Sequence, residues 1–179
     1  MRVADYPKSR GYHKRDILRI GLVGGLALGC AALRPDAGLA QAILLTIDGI
    51  VEAKEADLSF DEAALMALPQ QSFTTTTTWT EGTLEFSGPA LSDVLAFVGA
   101  GGGDLRLLAA NNYEVTISRD LVEATAPIIA TRINGKPFGL RENGPLWLVF
   151  PYDRETKYHS EDVYAASVWQ LVSLTVLPD

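Results

Sequence analysis

Cysteine is nearly absent from this sequence and histidine is scarce. One Cys in 179 residues excludes a disulfide scaffold, a cysteine-rich zinc site and an iron–sulfur centre. Two histidines, His13 and His159, are too few for most histidine-based metal centres. No Gly-x-Gly-x-x-Gly follows a strand-like run and no P-loop is present, so the common nucleotide cradles are missing. The glycines of Ala100–Gly103 close a helix-like stretch instead of opening one, and sixteen glycines without a period exclude collagen. No Ser occupies a Gly-x-Ser-x-Gly setting. His159 lies in the polar run Lys157–Asp162 and reads as a solvated surface residue. Neighbouring acids such as Glu161 and Asp162, or Glu114 and Asp120, read as solvated charges with no mark of a glycosidase pair.

What is present is an ordinary globular composition, 47% hydrophobic and 21% charged. The charge is lopsided. Residues 1–42 hold seven basic and three acidic residues, a balance of +4, whereas the remainder holds eight basic and nineteen acidic residues, a balance of −11. An acidic domain repels phosphates, which argues against nucleic acid and anionic membrane as partners.

The N-terminus reads as an address. A basic, polar stretch over 1–19 precedes the apolar run Ile20–Leu33 and a small-residue stretch ending Leu39-Ala40-Gln41-Ala42. These are the parts of a secretory signal, with cleavage expected after Ala42 or after Ala40. The apolar run is shorter than the roughly 20 residues of a membrane span, although an uncleaved anchor is the competing reading. Lys14-Arg15-Asp16-Ile17-Leu18-Arg19 resembles a twin-arginine signal whose first Arg is Lys. Cys30 lies inside the apolar run in a poor lipobox, so cleavage leaves a mature chain without Cys. The expected compartment is the periplasm or exterior of a bacterium.

Residues 43–179 read as one domain with one core. A strand is expected over 42–48, closing at Asp48-Gly49. Ser59-Phe60-Asp61-Glu62 has the form of a capping box before a helix over 63–68, which Pro69 stops. The Thr-rich stretch Ser72–Thr80 and the alternating Leu84–Phe86 predict strands. Leu91, Val94, Leu95 and Val98 form one stripe of a helix ended by Gly99. Strands follow over 105–110 and 113–117 around Asn111-Asn112, and then a short helix capped by Ser118. Ile128–Ile133 with Asn134-Gly135 predicts a type I′ hairpin returning through Lys136-Pro137-Phe138. Leu146–Phe150 reads as a buried strand, Val163–Val168 as irregular, and Leu171–Val176 as a closing strand. The expected class is α+β, mostly mixed or antiparallel sheet with a few short helices and no repeats.

Several stretches, in order, resemble the oxidoreductase molybdopterin-binding domain, the sulfite-oxidase-like fold. They are Leu44, Thr46, Asp48 and Gly49; Leu65–Pro69; Thr74–Trp79; Gly88–Leu95; Asn111-Asn112-Tyr113; Asn134–Pro137 with Gly144–Pro151; and Ser167-Val168-Trp169 with Leu171–Val176. The resemblance spans nearly all of residues 43–179. It implies a molybdenum ligated by a Cys four residues before a Trp, and that place is held here by Thr75, four before Trp79. A neutral hydroxyl cannot replace a thiolate as a soft ligand. The family also often carries a phosphate-pairing Lys just before the last Ser-x-Trp, where this chain has Ala165-Ala166. With both features gone, the chain resembles the small periplasmic pterin-binding regulators of this fold, which act on a membrane diguanylate cyclase/phosphodiesterase.

A pterin is a flat heteroaromatic ring with an amide edge and an amino group. It needs an aromatic slot and a few convergent polar groups. Trp79 and Tyr113, at loop junctions, are the stacking candidates, with Tyr152, Tyr164 and Trp169 as further rings. Asn111 and Asn112 match an amide edge, and Glu81 and Asp153 are the candidate carboxylates. Against this stand plainer readings: three core tryptophans, with Trp147 the most core-like, an Asn-Asn turn, and two surface acids.

The resemblance thus implies a non-catalytic periplasmic protein that binds a reduced, non-phosphorylated pterin. It would signal occupancy to the sensor domain of a membrane signalling partner that controls cyclic di-GMP, without metal and without nucleic acid. Two other classes compete: a molybdopterin-dependent oxidoreductase with an altered metal ligand, and an adaptor domain with an empty pocket.

Overall fold

The computed structural model describes residues 42–54 and 58–179. The expected signal over 1–42 lies outside them except for Ala42, and so does Cys30. No helix among the described residues is long and apolar enough to cross a membrane.

The architecture is mixed α+β with mostly antiparallel sheets and short helices, as the sequence patterning predicts. The chain opens with β1 (Leu45–Gly49), in which Leu45 and Ile47 point inward and Thr46 and Asp48 outward. This is the period-two pattern of a strand with one covered face. β2 (Ser59–Phe60) pairs back onto it antiparallel. That pairing overturns the expected capping box. Ser59 and Phe60 are still extended, so the N-cap is Asp61, whose carboxylate accepts the Ala64 N–H at 2.8 Å, and α1 runs Glu62–Ala67. Leu68 ends α1 ahead of Pro69, as expected.

β3 (Gln70–Thr76) and β4 (Thr83–Pro89) form a seven-residue antiparallel ladder. β3 starts earlier and ends earlier than the expected 72–80. Thr74–Thr76 stay in the ladder, whereas Thr77 and Thr80 turn the chain and bond through their hydroxyls at 2.8 Å. Short hydroxyl side chains offer the backbone local partners in a turn, so a run of Thr is not a run of strand. β4 carries Gly88, whose missing Cβ leaves room for the Ile129 carbonyl of β7 (Ile128–Ala130). α2 (Leu91–Phe97) buries Leu91, Val94 and Leu95 as expected, and Gly99 follows at φ +61°.

β5 (Leu105–Ala109) and β6 (Glu114–Ile117) form the expected hairpin, and Ser118 caps a 3₁₀ turn over Arg119–Leu121. The Asn134-Gly135 turn has positive φ at both residues, as a type I′ turn requires. Its flanks depart from expectation. β8 (Arg132–Ile133) pairs mainly with β4, and the returning chain contributes a single bridge at Lys136. β9 (Trp147–Val149) is wholly buried against β7. The segment expected to be irregular is helical: α3 (Glu161–Ala166) is capped by Ser160 and buries Val163 and Ala166 one turn apart.

The closing strand, β10 (Leu171–Val176), lies at the centre of the five-stranded sheet β2-β1-β10-β5-β6. It is parallel to β1 and antiparallel to β5. A three-stranded sheet β3-β4-β8 and the pair β7-β9 complete the sheets. The core runs between them and is rich in aromatics near β9, where Phe86, Trp147 and Phe150 are fully buried.

Candidate functional site

The turn after β3 carries Trp79, and two sets of hydrogen bonds hold it. Within the turn, the Thr77 hydroxyl accepts the Trp79 N–H at 3.1 Å. At the end of β3, the Asp153 carboxylate accepts the Thr76 N–H at 2.6 Å and the Thr76 hydroxyl at 2.7 Å. In return, the Thr75 hydroxyl accepts the Asp153 N–H at 3.1 Å and donates to the Thr76 carbonyl at 3.2 Å. The 3₁₀ turn Tyr152–Arg154 is thereby latched to the strand that launches Trp79. The bonds from Thr76, backbone first and hydroxyl second, hold the Asp153 carboxyl below its ordinary range.

The Trp79 ring is the hub of an aromatic cluster. Its centroid lies 5.6 Å from Trp169, 6.0 Å from Trp147, 6.0 Å from Tyr164 and 6.2 Å from Tyr152, each pair edge to face. Beneath it the cluster is closed. Trp147 is fully buried and donates its indole N–H to the Ser167 carbonyl at 3.2 Å. Tyr152 is 4% exposed and donates to the Ser167 hydroxyl at 2.6 Å, and that hydroxyl donates in turn to the Val163 carbonyl at 2.6 Å. Burial pushes the Tyr152 phenol up to about 12, against the opposing bond with Ser167.

Above this floor the cluster opens into a cleft of about 260 Å³. Five of the residues singled out from sequence line it: Trp79, Asn111, Tyr113, Tyr164 and Trp169. Helix α3 brings Tyr164, the link between α3 and β10 brings Trp169, and the β5–β6 turn brings Asn111 and Tyr113. The Asn111 side-chain oxygen accepts the Tyr113 N–H at 3.0 Å, leaving its NH₂ without a protein acceptor among the described residues. The Tyr113 hydroxyl donates to the Ala165 carbonyl at 3.1 Å, which ties that turn to α3 although Tyr113 is 44% exposed. The indole N–H groups of Trp79 and Trp169 have no protein acceptor among the described residues.

The other four candidates lie elsewhere. Tyr152 is floor, not lining. Asn112 is the apex of the turn, at φ 66°, which is the plain turn reading. Asp153 is the latch, with both carboxylate oxygens engaged by Thr76. Glu81 is exposed on the Trp79 turn and does not line this cleft. Ser167 was missed as a candidate: it lines the cleft and joins the Trp147 and Tyr152 bonds. Its signal was the Ser-x-Trp spacing to Trp169.

The cleft is lined by rings, amide and small side chains, with no carboxylate and no cation. No group of three or more His, Cys, Asp or Glu that could hold a metal ion occurs among the described residues. The exposed His159 hydrogen-bonds through Nε2 to the Tyr152 carbonyl at 2.8 Å and takes no part in the lining. Chemically, such a cleft can bind a flat, uncharged ring and offer it N–H donors at its edges. No family model matches the chain, and no curated protein matches it in sequence.

Proposed function

We propose that this protein is a non-catalytic binding protein for a reduced pterin, with a sulfite-oxidase-like fold and a periplasmic working place. The observation that carries the reading is the charge-free cleft formed by Trp79, Tyr164 and Trp169 over a hydrogen-bonded floor. Its volume of about 260 Å³ lies just under the ~300–1,000 Å³ of drug-sized ligand sites, which suits a bicyclic ring better than a large cofactor. The free NH₂ of Asn111 and the indole N–H groups suit the carbonyl and ring nitrogens of a pterin edge. The ring's own amino group needs an acceptor, for which the Asn111 oxygen keeps a second lone pair.

The residues do not fit the molybdenum centre that the family resemblance implies. The Thr75 hydroxyl is fully buried, accepts from Asp153 and donates to Thr76, and as a neutral oxygen it cannot stand in for a soft thiolate ligand. This weighs against the oxidoreductase alternative. Regulation follows from the same proposal: occupancy would be reported to the sensor domain of a membrane diguanylate cyclase/phosphodiesterase, provided the ligand prefers the docking-competent form.

The test is a titration of the full chain with reduced pterins, read by tryptophan fluorescence and checked by calorimetry. Saturable quenching is expected, lost in Trp79→Ala and kept in Glu81→Gln. Failure of every reduced pterin to bind overturns the reading and leaves an adaptor domain.

A further inference from the structure

A second cleft of about 530 Å³ lies on another side of Trp79, lined also by Leu84, Phe138, Lys136, Arg141 and Glu142. It differs from the first in charge. Residues 43–179 contain eight cations against nineteen acids. Arg106, Arg132 and Lys157 are ion-paired, and Arg154 lies over the Phe73 ring. Lys54, Arg119, Lys136 and Arg141 have no ion pair and no side-chain hydrogen bond among the described residues, and of these four Lys136 and Arg141 both line this cleft. The one acid in the lining, Glu142, is exposed and accepts the Gly139 N–H of its own turn through Oε2 at 3.0 Å. A third cleft, beside β6, is lined by Asp120 and Asp162 and by no cation.

The two Trp79 clefts are also joined through the chain. Asn143 lines the second, and its carbonyl accepts the N–H of Gln170, which follows Trp169 of the first, at 3.1 Å. The Gln170 side chain donates to the Leu140 carbonyl at 3.0 Å, which ties down the 3₁₀ turn Leu140–Glu142 that bears Arg141. The cation-bearing turn and the aromatic cleft are therefore held in register.

We propose that Lys136 and Arg141 form an anion subsite, so that the ligand is an aromatic ring carrying a carboxylate or phosphate tail. The ring occupies the cleft beside Trp79, Tyr164 and Trp169, and the tail passes the Trp79 edge to reach the cations. This rests on the ring site proposed above and alters one expectation. The cation absent at Ala165-Ala166 is supplied by a different loop, so the ligand need not be neutral.

The experiment compares three reduced probes on the full chain: a neutral hydroxymethyl-dihydropterin, its phosphate ester, and dihydropterin-6-carboxylate. Inorganic phosphate and acetate alone are followed in parallel by amide shifts in the isotope-labelled chain. Two partly exposed ion pairs predict that an anionic pterin binds about fivefold tighter than the neutral one at low salt, with the gain shrinking as salt rises. The gain should vanish in Lys136→Gln/Arg141→Gln, with neutral-pterin affinity unchanged and near-ultraviolet circular dichroism confirming the fold. A gain confined to one tail identifies phosphate or carboxylate. Equal affinities, or a gain that survives the double substitution, overturn the subsite while leaving the ring site standing. If no pterin binds, the ring reading fails. Phosphate or acetate shifts at Lys136 and Arg141, lost in the double variant, would then still support the subsite, and their absence would overturn it.

Discussion

The two layers of the aromatic cluster are built from the same residue types and do opposite things. In the inner layer, Trp147 and Tyr152 are buried, and each polar tip reaches Ser167. In the outer layer, Trp79 and Trp169 are half-buried, and their indole N–H groups have no protein acceptor among the described residues. A ring whose polar tip is satisfied inside the protein contributes packing and leaves nothing for a ligand. A ring that keeps an open edge and a free donor is where binding can happen. Residue type alone does not separate the layers; the location of the hydrogen-bond partner does.

Stability breaks this comparison most sharply. Trp147→Ala should cost about 3–5 kcal/mol, because it empties a fully buried site that the β7–β9 and β4 side chains cannot refill. Trp79→Ala should cost roughly half of that, since its ring is already partly in water, and should abolish the proposed pterin binding. Denaturant midpoints for both variants, set beside the fluorescence titration, check the pair. Equal costs would mean that Trp79 is core and the two layers are one.

A smaller effect probes the floor. Tyr152→Phe removes the donor to Ser167 and should cost about 1 kcal/mol. Its pH signature is more specific. The folded protein keeps the Tyr152 proton up to about 12, whereas the unfolded chain releases it near 10. Stability therefore falls as pH rises through that window, and Tyr152→Phe should flatten the fall. Alkaline unfolding curves of both proteins check this.

The mildest prediction concerns the latch. The folded pKa of Asp153 is depressed by Thr76, so its contribution is present above the ordinary carboxylate range and is lost as pH falls through the lower folded value. Asp153→Asn should weaken the acid dependence of stability and loosen the Trp79 turn. Melting temperatures between neutral and acid pH check the first effect. Amide exchange at Thr76, whose N–H the carboxylate accepts, checks the second.

Sequence patterning carried much of the fold. The strand closing at Asp48-Gly49, the stripe of Leu91, Val94 and Leu95, the Asn111-Asn112 turn and the unbroken apolar run at Trp147–Val149 all appear where expected, because each is a local signal. Ser59 failed as a cap because a long-range partner, β1, holds Phe60, which would have to open the helix, in a strand. The Thr run was read too long because hydroxyl bonding in a turn and β-branching in a strand use the same residue. α3 was missed because it is less than two turns long, too short for a periodic signal.

The sequence by itself determined the α+β class, the acidic balance, the scarcity of Cys and His and the set of aromatic residues available for a site. Only the tertiary structure decided which aromatics stand open, that Asp153 is a latch, and that Lys136 and Arg141 share a cleft with Trp79. The reason is physical. Charge and residue type belong to the chain and survive unfolding, and local periodicity needs only neighbours. A free donor, an engaged carboxylate or a shared cleft is a relation between residues such as Trp79, Arg141 and Trp169, which lie far apart along the chain and meet only when it folds.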